Sequence, residues 1–172
     1  MRYSLIREMD ISNGQGVGIS LFVQGCHFHC KGCFNQETWD FNGGKEWTKE
    51  IENKFIELAN KPYIKRISFL GGEPLADENV SVILRIIKKL KLLYPEKNIW
   101  IFTGYIWDDI INSSNILRLS AIRLAEVVVD GQFQIENQDI NNKKNIWAGS
   151  LNQRVINVKK TYKTGNIVLY QN

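Results

Sequence analysis

Three cysteines, Cys26, Cys30 and Cys33, fall within eight residues, and the chain has no others. Thiolates are soft ligands that select iron–sulfur clusters, zinc or copper(I), and as dithiols they exchange electrons directly. Three readings of the loop compete. Zinc would take the three cysteines with His27 or His29 as the fourth ligand, but structural zinc sites usually bring two short ligand pairs from separate segments, and no second pair exists. A thioredoxin-like dithiol at Cys30-Lys31-Gly32-Cys33 would leave Cys26 idle. A 4Fe-4S cluster held by only three cysteines would leave one iron open to an outside ligand, because each iron takes its own thiolate. An open iron means chemistry at the cluster and not electron storage alone.

The elements that must hold this loop can be read on either side of it. Val17 to Gln24 alternates apolar and polar or small residues as a strand does, and it runs through Gly25 into the cysteines. Thr48 is a helix N-cap, followed by Ile51, Phe55, Leu58 and Ala59 at helical spacing. Arg66 to Leu70 reads as a buried strand stopped by Gly71-Gly72-Glu73-Pro74. Asp77 then caps a helix whose stripe is Val80, Ile83, Leu84, Ile87, Leu90 and Tyr94, ended by Pro95. Asn98 to Phe102 is the next strand. A helix over 108–119 follows, with a potential break at Asn112-Ser113-Ser114-Asn115, and then a strand over Glu126 to Val129. Gln134 to Lys144 is polar and reads as a loop, and late strands are expected over 153–158 and 165–170. Strand and helix in alternation predict an α/β fold with a mainly parallel sheet. Ligands of such folds collect at the carboxyl ends of the strands. Those ends carry the cysteine loop, Gly71–Pro74, Thr103–Tyr105 and Asp130–Gly131.

With 172 residues, 44% hydrophobic and 23% charged, the chain fits one globular domain over 1–172 and excludes a disordered or fibrous protein. No apolar run has the length of a membrane span. The charged N-terminus does not read as a signal peptide, so the expected compartment is the cytoplasm. The net charge of +4 is spread along the chain, and its densest cluster, Lys88, Lys89 and Lys91, reads as a solvated helix face. Neither a nucleic acid nor a membrane is expected as a partner.

The spacing C-x3-C-x2-C after a strand, with Phe34 directly behind the last cysteine, resembles the radical S-adenosylmethionine enzymes. Val23-Gln24-Gly25-Cys26 through Asn35, Glu37 to Phe41, Leu70 to Pro74, Val129 to Phe133 and Gly149 to Arg154 are similar to the activating proteins of anaerobic ribonucleoside-triphosphate reductases, which belong to the glycyl radical enzyme activases. The likeness runs from about Tyr3 to Val158, with one departure at Gln132, where relatives are expected to carry proline. It implies a single-domain, trimmed form of the partial (β/α) barrel of radical S-adenosylmethionine enzymes. Cys26, Cys30 and Cys33 would ligate one 4Fe-4S cluster, and Gly32, Cys33, Phe34, Gly71, Gly72, Glu73, Thr103 and Asp130 would bind S-adenosylmethionine. Glu73 would accept from the cofactor's ammonium, and Gly71 and Gly72 would let the backbone approach its methionine part. The implied reaction is reductive cleavage to a 5′-deoxyadenosyl radical, which takes a hydrogen atom from a glycine of the reductase large subunit. Reduced flavodoxin or a ferredoxin-type protein would donate the electron. An alternative is a radical enzyme that activates another glycyl radical enzyme or acts on a small heterocycle. Asn152-Gln153-Arg154 belongs to the likeness without an implied role.

Overall fold

The strand patterns resolve into a seven-stranded sheet in a computed structural model that describes residues 1–138 and 146–171. The elements are β1 (Arg2–Asp10), β2 (Gly18–Val23), β3 (Lys45–Glu46), α1 (Lys49–Ala59), β4 (Arg66–Gly71), α2 (Asp77–Leu93), β5 (Asn98–Phe102), α3 (Trp107–Asn112), α4 (Ile116–Leu124), β6 (Val127–Asp130), β7 (Arg154–Asn157) and α5 (Val158–Thr164). The strand order is β3-β1-β2-β4-β5-β6-β7, so the sheet is open with β3 and β7 at its edges.

The expectation of a mainly parallel sheet is corrected here. β2, β4, β5 and β6 run parallel, while β1 is antiparallel to β2 and β3, and β7 is antiparallel to β6. The sheet is mixed because β1 and β2 are separated by only residues 11–17, too few for the crossover that parallel neighbours need. β1 escaped the sequence reading because it is a half-exposed strand whose charges interrupt any apolar alternation. α5 was also unexpected: it fills the interval between two expected strands, and of the second only an isolated bridge between Leu169 and Ile156 is formed. The expected break divides α3 from α4. Asp77 is the first residue of α2 and not its cap, which is Ala76; its carboxylate takes a hydrogen bond from Arg118 at 2.8 Å. Of the expected loop over 134–144, Ile135–Asn137 is a short 3-10 helix, and 139–144 lie outside the described residues.

Alternation then sorts the side chains. Ile19, Leu21, Val23, Ile67, Phe69, Ile99, Ile101 and Val128 join the apolar faces of α1 to α5 in the main core. Among the described residues the other face of the sheet carries no α-helix. Its Trp100, Val127, Val129 and Val155 pack with Trp147 and Tyr170, the Trp100 ring lying 4.9 Å and 5.2 Å from those two rings. At the amino ends of the parallel strands, residues 10–16 fold over the fully buried Arg66, whose guanidinium donates to the carbonyls of Asn13 (2.5 Å) and Asp10 (2.7 Å). The carboxyl ends are left open, and the site lies there.

Candidate active site

The turn after β2 is fixed by main-chain bonds before any ligand is considered. The Gly25 and Cys26 N–H groups donate to the carbonyls of Thr38 (2.7 Å) and Trp39 (3.0 Å). The Glu73 N–H donates to Gly25 (2.8 Å), tying the end of β4 to the start of the cysteine loop. A Cβ on Gly72 would stand 2.5 Å from the Gly25 carbonyl oxygen. The close approach expected here between backbone and cofactor is thus already one between two protein backbones. Phe28 docks the middle of the loop on Gly104, and its ring meets Tyr105 edge-on at 4.9 Å. Arg118 closes that stack over the other face of Tyr105, 4.1 Å from the ring centroid.

A cavity of about 620 Å³ opens on the helix-free face, lined by Cys26, Cys30 and Cys33 together with Phe34, Gly71, Gly72, Glu73 and Thr103. Its floor is apolar: Phe22, Leu70, Phe102 and Val129 project from the four parallel strands. Among the described residues no three His, Cys, Asp or Glu side chains converge on a point where one metal ion would sit. A tetrahedral zinc site needs every sulfur about 2.3 Å from a single ion, whereas a cluster takes one thiolate per iron and needs them apart. Both histidines have partners away from the thiols. His27 lies 2.9 Å from Glu78 and stacks on Phe41 at 4.4 Å, and His29 stacks on Trp39 at 4.7 Å. Burial raises the Cys26 thiol to about 11 and pushes Cys30 up as well, so a positively charged centre is what would bring them to the thiolate form.

Glu73 is buried, and neutral donors hold its carboxylate: Leu75 N–H and the Thr103 hydroxyl on Oε1, and Gly104 N–H on Oε2, each at 2.8 Å. Burial pushes its pKa up to about 7. Thr103 spends its one donor in this bridge, and its oxygen also accepts from Tyr105 N–H at 3.1 Å. Two of the expected cofactor residues lie outside the cavity lining. Gly32 stands at φ +74°, in the left-handed region that favours glycine, with the Ile135 side chain packed against it. Asp130 accepts from Trp107 N–H at 2.7 Å and from Arg154 Nε at 3.0 Å, a buried ion pair at the start of α3. Among the described residues its carboxylate is engaged within the protein.

A family model for a 4Fe-4S single cluster domain matches residues 12–156. The chain is 41% identical over 157 residues to the anaerobic ribonucleoside-triphosphate reductase-activating protein of Salmonella typhi, covering 90% of this chain and 97% of that one. The protein of that name from Escherichia coli (strain K12) is 40% identical over the same shares. The one from Enterobacteria phage T4 is 34% identical over 155 residues, 90% of this chain and 93% of that one. The chain belongs to the family of anaerobic ribonucleoside-triphosphate reductase-activating proteins.

Within this family member the Asn152-Gln153-Arg154 stretch acquires a structural part. Asn152 Nδ2 donates to the Gln132 carbonyl (2.8 Å), and Gln153 joins the Gly131 carbonyl (2.8 Å) to the Gly149 N–H (2.8 Å). With the Arg154–Asp130 pair these bonds clamp the turn that carries Gln132 and Phe133 to the cavity wall. There Phe133 meets Phe34 at 4.9 Å, and the Gln132 amide oxygen lies 4.0 Å from Cys30 Sγ. Sequence reasoning also missed Asn79, buried on the first turns of α2, whose amide donates to the carbonyls of Gln24 and Glu73 at 3.0 Å each. An asparagine in a helix gives no sequence signal for a partner 55 residues away.

Proposed function

We propose that the protein binds one 4Fe-4S cluster through Cys26, Cys30 and Cys33, cleaves S-adenosylmethionine reductively at the open iron, and uses the 5′-deoxyadenosyl radical to install a glycyl radical on the large subunit of an anaerobic ribonucleoside-triphosphate reductase. The single observation that carries this reading is the set of three thiols on one cavity wall, with Glu73 beside them and no fourth cysteine in the chain. When bound, the cluster and S-adenosylmethionine supply one electron and a carbon-centred radical able to take a hydrogen atom.

The chain's own residues bind, orient and keep water out. Glu73 is an acceptor for the cofactor's ammonium: among the described residues Oε2 accepts only from Gly104 N–H, and a carboxylate oxygen has more than one acceptor site. An ammonium there would draw the raised pKa back down and keep the group ionised. The Thr103 hydroxyl and the N–H groups of Leu75 and Gly104 hold that carboxylate in one orientation. Phe34 and Phe133 form an aromatic corner at the edge of the thiol end, suited to a flat heterocycle, and the floor of Phe22, Leu70, Phe102 and Val129 excludes water from the reacting groups. Asp130 and Gly32 support these walls and are not assigned to the cofactor. The open sheet serves as a trimmed barrel whose missing wall the partner completes. Reduced flavodoxin or a ferredoxin-type protein supplies the electron, in the reducing cytoplasm where the three thiols stay free.

The test is an anaerobic mixture of reconstituted protein, reductant, S-adenosylmethionine and the cognate reductase, followed by electron paramagnetic resonance. The expected result is a doublet on the reductase that collapses when its glycine carries α-deuterium. Efficient turnover of a small heterocycle with no radical on the reductase would overturn the proposal.

A further inference from the structure

We infer that the end of the cavity around Arg7 is a carboxylate subsite for the partner's segment. The inference rests on the function proposed above and states the chemistry by which the entering chain is held. Arg7 lies on β1 directly opposite Ser20 of β2, on the helix-free face, and it lines the same cavity as the three thiols. Among the described residues only one other charged side chain lines that cavity, Glu73, and three donors already occupy its carboxylate. No described acidic residue pairs with Arg7. Its guanidinium carbon sits 5.1 Å from the centroid of the Phe22 ring. That contact holds the guanidinium of the exposed Arg7 against the ring, and its N–H donors have no partner among the described residues. An oriented, unpaired fork at the wall of an open cavity matches a carboxylate in bidentate geometry.

The Arg7 guanidinium stands over Phe22, four residues before Cys26, so it lies up to about 13 Å along the chain from the first thiol at ~3.3 Å per extended residue. An extended peptide of about four residues spans that interval, with its reacting residue at the thiol end and its carboxylate on Arg7. Two cavity-lining side chains, Phe34 and Ile146, are 64% and 52% exposed, which suits a peptide with apolar side chains better than a free anion. The carboxylate comes from an acidic side chain or from the end of the partner's chain.

The experiment uses the full protein with its cluster reconstituted and fluorescent twelve-residue peptides spanning the glycine-bearing segment of the cognate reductase. The peptides are made in three forms: natural, with Asp and Glu replaced by Asn and Gln, and with the C-terminus amidated. Fluorescence anisotropy should show the natural peptide binding ~10-fold or more tighter than the form that lacks the decisive carboxylate, and the weaker form identifies its source. Arg7→Gln should abolish that difference without changing affinity for the weak form, and Arg7→Lys should restore part of it. Equal binding of all three forms to the natural protein, or a difference that survives Arg7→Gln, would overturn the subsite while leaving the proposed function standing. Binding of neither peptide nor intact reductase would remove both. A loss of S-adenosylmethionine affinity in Arg7→Gln with peptide discrimination intact would overturn the subsite by assigning the cation to the cofactor.

Discussion

Two buried carboxylates stand at opposite ends of one sheet, and they are treated in opposite ways. Asp10, at the amino ends of the parallel strands, and Glu73, at the carboxyl ends, are each only 2% exposed. Burial raises both, yet Asp10 ends below its ordinary range because Ser20, Asn13 and the Ser12 N–H donate to it and the Arg66 cation stands 3.9 Å away. Glu73 accepts three hydrogen bonds to Asp10's four, burial outweighs them, and its pKa rises to about 7. The difference is a fuller set of donors and, more weakly, the ion-pair partner that Asp10 has in Arg66 and Glu73 does not have among the described residues. One end of the sheet is internally neutralised and closed; the other lacks a positive charge that a ligand can bring.

The largest effect expected is at the open end. Cys26→Ala, Cys30→Ala or Cys33→Ala should each abolish S-adenosylmethionine cleavage after anaerobic reconstitution, since no spare cysteine exists. The thiols are only half-buried, so the urea midpoint should correspond to a change within ~1 kcal/mol. Full turnover by any one variant would end the three-ligand assignment.

Next is the closed end. Arg66→Met leaves the Asp10 charge buried without its cation and should cost ~3–5 kcal/mol in urea unfolding. Adding Asp10→Asn should recover part of that loss. If the single variant proved as stable as the natural protein, the amino-end network would not be the strut described here.

A third effect sets the two carboxylates against each other through pH. Glu73 has a folded pKa near 7 against 4.5 in its ordinary state. Its contribution is therefore fully present below 4.5 and is lost as pH rises through 7, on the order of 3 kcal/mol. Asp10 has the opposite sign: its contribution is present above its ordinary 3.8 and is lost as pH falls below that value. Chemical unfolding between pH 3 and 8 should show the neutral-side slope vanish in Glu73→Gln and the acid-side slope shrink in Asp10→Asn. S-adenosylmethionine should also reduce the neutral-side slope by bringing an ammonium to Glu73. An unchanged neutral-side slope in Glu73→Gln would count against the contrast.

The smallest effect tests how lightly the open end is held. Asn152→Ala removes one hydrogen bond to the Gln132 carbonyl and should cost ~1 kcal/mol. Amide exchange should quicken at residues 131–133 and stay unchanged at residues 66–69. Equal quickening at both would show that the two ends do not behave independently.

Much of the site was legible before the fold. The cysteine spacing, the Gly-Gly-Glu-Pro turn and the Thr-Gly-Tyr turn are short local patterns, and the structure brings all three to one cavity. The same holds for the central strands and for α1 and α2, where the period of the apolar residues reflects which face is buried; the helix expected over 108–119 stops short of Leu124, where α4 ends. Other parts were not legible for a definite reason. β1 is half-exposed and its charges interrupt the alternation, and α5 is too short and polar to show a period. Asp130 at a strand end reads equally as a ligand group or as an internal pair until Arg154 is seen 24 positions away at its carboxylate.

The sequence by itself determined the ligand chemistry, three soft thiolates and no fourth, and the order of strands and helices that carries the loop to a strand end, because both depend on residue type and near-neighbour spacing. Only the tertiary structure decided that the sheet is mixed, that Asn152, Gln153 and Arg154 brace the Gln132 turn, and that Asp10 has an ion-pair partner where Glu73, among the described residues, has none. Those outcomes depend on which distant groups share a buried volume. The cost of burying charge, which separates Glu73 from Asp10, is set by that company and not by the residue's own place in the chain.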